Sequence, residues 1–270
     1  MFIDTHIHLD DNRYLVELDK VIKEAKQNGV SKIITMGCDY KSSVMAVEIA
    51  NRYDEVYAMI GIHPSEIKKC SEEELRLDWI KELASNPRVI GIGEIGLDYY
   101  WDKTYNDLQK EIFIKQIELS KELNFPISVH SRDANQDTLD IMKVYKPKGV
   151  IHCFSGSSQM AAEFVKLGLF IGVGGVVTFK NSRVIKEVVE KIDLKWILTE
   201  TDGPYLAPSP YRGTQNFPKY IPIIAEEISK IKEIDIKEVE KQVEENVNRL
   251  FNIWGEFVWE DCYASCFVCF

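Results

Sequence analysis

The sequence predicts a (β/α)8 barrel of the TIM type, and three observations lead there. Short apolar β-type runs alternate with longer helical patterns eight times across the chain. The chain has 270 residues, 45% of them hydrophobic, which is enough for one large α/β core. All five histidines fall at the carboxyl ends of strand candidates and none on a helix candidate. In such a barrel all strand ends of that kind meet on one face, where active sites form. An open doubly wound sheet is the second choice, but it would want a Gly-rich loop after an early strand. The first strand here runs instead into His-Leu-Asp-Asp.

The first strand is FIDTHIH. Side chains at i and i+2 of a strand share a face, so His6 and His8 point together, with Asp4 one step deeper. A helix over 13–28 follows, with Leu15, Leu18, Val21, Ile22 and Ala25 on one stripe and Gly29 to end it. KIITM at 32–36 is the second strand, and Ser42 can cap a helix over 43–52. The third strand, 56–62, ends at His63-Pro64. Ser71 and Glu74 have capping-box spacing and are expected to open a helix over 72–84. The fourth strand, RVIGIG at 88–93, runs straight into Glu94 and precedes a long helix over 104–123. PISV at 126–129 ends at His130, and 149–151 ends at His152, with a helix over 135–145 between them. A helix over 158–167 stops at Gly168. Strand 169–173, a helix over 182–191 and strand 196–199 lead to Glu200 and Asp202, and helices over 218–232 and 236–250 complete the unit. No linker, repeat or low-complexity segment interrupts the order, so 1–254 reads as one domain.

Two imidazoles on one strand face can reach one ion at ~2.0–2.2 Å. The bland reading of His-x-His is two hydrogen-bonded core residues. Taken alone, Glu94 could be a helix N-cap carboxylate and Asp202 a turn cap before Gly203-Pro204. The strand ends favour a common site of His6, His8, Glu94, His130, His152 and Asp202. Zinc takes three or four protein ligands, so six converging ligands suggest two ions, with the two oxygens of Glu94 as the bridge. Such a pair suits phosphoester hydrolysis, and Asp202 is placed to orient or deprotonate a water. Arg132 is the first candidate for a phosphate contact, with a salt bridge to Asp133 as its ordinary alternative. His63 is a further substrate contact outside the six ligands. Ser155-Gly156-Ser157 precedes a helix and can offer N–H groups to an anion. Tyr99, Tyr100 and Trp101 read more readily as packing under the long helix than as a stacking face for a base.

These motifs resemble the TatD family of metal-dependent deoxyribonucleases, a branch of the amidohydrolase superfamily. The matching stretches are Asp4-Thr5-His6-Ile7-His8-Leu9, Gly61-Ile62-His63-Pro64, Gly93 to Tyr100, Val129-His130-Ser131-Arg132, His152 to Gly156 and Glu200-Thr201-Asp202. The resemblance implies Mg²⁺ or Mn²⁺ and hydrolysis of DNA phosphodiesters from a 3′ end. It implies that His6, His8, Glu94 and Asp202 hold one ion and Glu94, His130 and His152 the other. It also makes Arg212 a substrate candidate. The sequence departs from the family at Gly203, where a serine is usual, and at Phe217, where an acidic residue is usual. Imidazole-rich sites suit Zn²⁺ and other transition metals better than Mg²⁺, so Mn²⁺ or Zn²⁺ is expected to bind more tightly. The expected substrate is single-stranded DNA, with RNA as an extension. The rivals are a small-molecule amide, lactone or phosphotriester hydrolase of the wider superfamily and a non-catalytic metal-binding barrel.

The formal net charge of −10 argues against a general nucleic-acid coat protein, so such contacts must come from local patches or ions. Without an apolar run of about 18 residues or a basic-then-apolar leader, a cytoplasmic location is expected, with no membrane and no obligate protein partner. Cys38, Cys70 and Cys153 read as ordinary thiols. The stretch 255–270 is a cysteine-rich tail of unassigned role. Cys262, Cys266 and Cys269 have the spacing of a cluster-binding motif, but an apolar tail or an oxidisable one is the preferred reading.

Overall fold

The computed structural model describes residues 1–101 and 103–253. The boundary expected at 254/255 and the Cys262, Cys266, Cys269 motif lie outside the described residues. Eight strands pair in chain order in one sheet. They are β1 (Phe2–Ile7), β2 (Val30–Met36), β3 (Val56–Ile60), β4 (Val89–Asp98), β5 (Ile127–Arg132), β6 (Gly149–Ile151), β7 (Phe170–Val173) and β8 (Ile197–Thr199). Every pairing is parallel and helices occupy each crossover, so the fold is the expected (β/α)8 barrel. The strands are buried along almost their whole length, as a sheet covered by helices requires.

The ring closes where β8 returns to β1. Ile7 pairs with Gly203 in a parallel bridge. His8 N–H donates to Gly203 O at 2.8 Å, and Asp202 N–H donates to His6 O at 2.9 Å. Further down, side chains take over the seam. Thr5 Oγ1 donates to Thr199 O at 3.1 Å and Thr199 Oγ1 to Ile3 O at 2.9 Å. Both carbonyls would otherwise be buried without partners.

Two strands carry an extra residue beside the future site. On β4, Ile92 faces Ile127 and Ile95 faces Val129, so three steps match two on β5. On β1, Asp4 faces Ile33 and Ile7 faces Thr35, again three steps against two. Bulges of this kind re-aim side chains next to active sites. Glu94 and His6 lie inside them. Gly96 follows with φ +143°, and a Cβ there would collide with His130 O, so only glycine fits.

Several expected boundaries shift. The helix expected over 13–28 is two helices, Asn12–Leu15 and Leu18–Gln27, because Glu17 between them is not helical. Tyr14 is buried in place of Leu15, which is exposed. Asp39, not Ser42, caps the helix Tyr40–Arg52, and Ser42 is the reciprocal partner of that capping box. The Ser71–Glu74 capping bonds form at 2.6, 2.8 and 3.2 Å. They do not open a continuous helix, because Leu77 turns left-handed (φ 66°) and the α-helix restarts at Asp78–Leu83. Among the described residues no helix is long and apolar enough to cross a membrane.

Candidate metal centre

Glu94 lies at the centre of the carboxyl face, 3% exposed. Its Oε1 is 2.7 Å from His152 Nε2, 2.9 Å from His130 Nδ1 and 3.3 Å from His63 Nε2. Its Oε2 is 3.4 Å from His8 Nε2 and 3.5 Å from His6 Nε2. Asp202 closes the second side, with Oδ1 at 3.6 Å from His8 Nε2 and 3.9 Å from His6 Nε2. All six residues expected to share a site therefore do so, and they fall into groups that can hold an ion. Neither bland alternative describes the two carboxylates. Glu94 lies within β4 rather than capping a helix, and Asp202 faces the imidazoles.

His63 joins them, although the sequence reading set it outside the ligand set. The loop after β3 carries it back over Glu94, and its ring packs edge-on against His130 at 4.4 Å between centroids. Asp4 stays out of the nest. Its carboxylate accepts from Thr201 N at 2.9 Å and Thr201 Oγ1 at 2.6 Å, so it anchors the turn that presents Asp202. Burial pushes the Asp4 carboxyl up to about 7.

Four of the five imidazoles that turn one nitrogen toward Glu94 have a hydrogen-bond partner behind the other, whereas His152 Nδ1 is buried without one. His6 Nδ1 meets Ser128 Oγ at 3.1 Å, and His63 Nδ1 meets Ser65 Oγ at 2.8 Å. His130 Nε2 meets Asp98 Oδ2 at 3.0 Å. His8 Nδ1 lies 3.6 Å from Cys38 Sγ, and His152 Nδ1 lies 3.8 Å from Glu200 Oε1. This is how proteins fix the tautomer and direction of imidazoles that ligate metal. None of these five neighbours was singled out by pattern. The Cys38 thiol is not an ordinary buried group, since it lies against His8 and 4.0 Å from Glu94 Oε2. Cys153 likewise follows His152 directly, and its N–H donates to Glu200.

The charges are set by burial against mutual attraction. Burial works against the Glu94 carboxylate, but the surrounding imidazoles outweigh it and hold Glu94 well below the carboxylate range. Asp202 is lowered in the same way, burial being outweighed by His8, His152 and His6. Burial lowers His6 to about 4. It also pushes the Glu200 carboxyl up to about 8. His130 goes the other way, to about 9, because Asp98 and Glu94 overcome its burial. His6 Nε2 is buried with no hydrogen-bond partner and points at two carboxylates. Imidazole nitrogens and carboxylate oxygens converging on an unpartnered buried nitrogen fit a divalent metal centre.

The substrate candidates other than His63 lie outside the nest. Arg132 holds its guanidinium 3.9 Å over the Tyr100 ring. Arg212 lies over Phe179 at 4.4 Å, in the exposed loop after β8. Ser157 is used as the N-cap of Ser158–Lys166, accepting from Met160 N. Of the aromatic triplet, only Tyr99 packs against the core, its hydroxyl donating to Asp137 at 2.8 Å. Tyr100 and Trp101 are exposed, contrary to the core-packing expectation, because the chain leaves the barrel rim at Asp98. Gly203 and Phe217, the two departures from the resemblance, lie side by side in the fold. Both border the buried Tyr14 ring, and a Cβ at 203 would collide with Tyr14 Oη.

A family model described as TatD related DNase matches residues 3–252. The chain is 43% identical over 256 residues to an uncharacterized metal-dependent hydrolase of Bacillus subtilis, covering 94% of this chain and all (100%) of that one. It is 36% identical over 252 residues to another from Methanocaldococcus jannaschii, covering 93% and 96%. The crystal structure of a TatD homologue from Escherichia coli matches with a TM-score of 0.88 at 29% identity, covering 93% of this chain and 98% of that one.

Proposed function

The chain belongs to the TatD-related DNase family of metal-dependent hydrolases, and from that premise we propose that it hydrolyses phosphodiester bonds of single-stranded DNA from a 3′ end, using two divalent ions that His6, His8, Glu94, His130, His152 and Asp202 would hold. The observation that carries the two-ion reading is the division of Glu94. His63, His130 and His152 face Oε1, whereas His6 and His8 face Oε2 together with Asp202. With five imidazole donors, Mn²⁺ or Zn²⁺ binds more tightly than Mg²⁺, whichever supports turnover.

When bound, the ions supply Lewis acidity, which lowers the pKa of water and offsets charge on phosphoryl oxygens. The chain's own groups do the rest. Asp202 is ionised at neutral pH and receives the proton of the attacking water. Ser128, Cys38, Ser65 and Asp98 hold four of the imidazoles in the orientation that binding requires. Arg132 sits at the mouth with a planar fork suited to two phosphate oxygens, and Arg212 offers a second cation from the loop after β8.

A metal-titrated assay on 3′- and 5′-labelled single strands tests the reading. The expected result is Mn²⁺-dependent cleavage beginning at the 3′ end. Asp202→Asn is expected to cut the rate by at least about 100-fold. Turnover of small esters or lactones alone, or wild-type cleavage by Asp202→Asn, would overturn it.

A further inference from the structure

A cleft of about 330 Å³ opens beside the metal centre, lined by Pro64, Lys68, Lys69, Asp98, Trp101 and Tyr105 among others. Its volume is that of a small-molecule site. Asp98 joins it to the nest, because the same carboxylate accepts from Tyr100 N–H at 2.9 Å and meets His130 Nε2 at 3.0 Å. Trp101 is 70% exposed, so its ring serves no core. It stands edge-on to Tyr100 at 4.8 Å between centroids, and Arg132 lies 5.4 Å from its ring. A wide aromatic face is thus held in solvent beside the metal centre, with Arg132 next to it and Lys69, paired with Glu66 at 2.6 Å, on the cleft wall.

Flat rings interleaved with cations form the usual platform for single-stranded nucleic acid: the bases stack and the cations follow the backbone. We infer that this cleft holds the nucleobase of a nucleotide adjoining the scissile phosphodiester, stacked on Trp101, with Lys68, Lys69 and Arg132 flanking its backbone. The inference rests on the nuclease reading above and adds the feature of the substrate that is recognised. A base inside a duplex has both faces covered by its neighbours, so the cleft selects unpaired strands. It is indifferent to base identity, since every base offers a π-face.

The test uses the Mn²⁺-loaded protein and a fluorescein-labelled, phosphorothioate-linked octathymidylate, with an all-abasic strand of the same length beside it. Fluorescence anisotropy gives Kd for wild type, Trp101→Ala and Trp101→Phe. Trp101→Ala is expected to weaken octathymidylate binding by about tenfold or more. Its affinity for the abasic strand should match that of wild type, and Trp101→Phe should recover most of the loss. Equal affinity of wild type and Trp101→Ala for octathymidylate would overturn the inference. So would an equal loss on the abasic strand, or no binding by wild type. Wild-type binding as expected, without cleavage of the ordinary phosphodiester strand under any metal, would sink the nuclease reading and leave the cleft assignment standing.

Discussion

His130 shows how single atoms set the chemistry of this site. One ring nitrogen faces Glu94 and the other faces Asp98. Together these carboxylates overcome burial and raise the ring to about 9 from 6.5. In the chelated protein this proton is bound more tightly folded than unfolded. Its contribution to stability is therefore complete below about pH 6.5 and gone once the pH has risen through about 9. Asp98→Asn is expected to move His130 downward toward 6.5, read from imidazole C2–H shifts across a pH series. An unmoved resonance would show that Asp98 does not govern the ring. At this scale the sequence was legible where residue type and predicted strand position coincide: five histidines, Glu94 and Asp202 all stand at the ends of strands that the sequence predicts. Ser65, Ser128 and Cys38 carried no such signal, because a hydroxyl or thiol becomes informative only once a ring nitrogen is known to face it. Asp98 and Glu200 lay inside quoted motifs, yet nothing in their spacing separated them from surface acids.

The elements explain why the nest is as tight as it is. Alternation along a flat strand predicts His6 and His8 on one face, and both reach Glu94. It does not predict the extra residues in β1 and β4, which turn His6 and Glu94 toward each other. A bulge leaves little trace in an apolar run, which is why β4 looked like six residues rather than ten. The same holds for Leu77, whose left-handed turn splits a helix that the capping box and periodicity both supported. The seam of β1 and β8 offers a direct test. Gly203 admits Tyr14, whose hydroxyl donates to Asn216 O at 2.5 Å. Gly203→Ala should destabilise the fold by about 1–3 kcal/mol through overcrowding. Adding Tyr14→Phe should cost less in that background than alone, because the crowded hydroxyl is already displaced. Thermal melts of the four proteins decide it, and strict additivity would refute the packing account.

Across the whole molecule, eight βα units of ordinary length place residues from the first three quarters of the chain on one rim. That order was readable because helix and strand periods alternate without a break, whereas helix ends depended on caps and turns that tertiary contacts rearranged. Ions bound at the rim link distant strands, so they should stabilise the folded barrel. At about 100 times Kd, Mn²⁺ is expected to add about 2.7 kcal/mol and raise Tm by several degrees, reversibly with chelator. An unchanged Tm would mean that the nest does not hold the ion.

The threonine seam also has a consequence for the order of events during synthesis. Thr5 donates its hydroxyl to Thr199 O and Thr199 donates its own to Ile3 O, partners nearly two hundred residues apart, and Asp4 waits for Thr201. Until the eighth strand has left the ribosome, the opening histidines have Glu94 but neither Asp202 nor the seam that closes over them. The group that Asp202 completes would therefore take a cation late in the life of each new molecule, and a nascent chain halted before its last strand would emerge with that half of the nest unfinished.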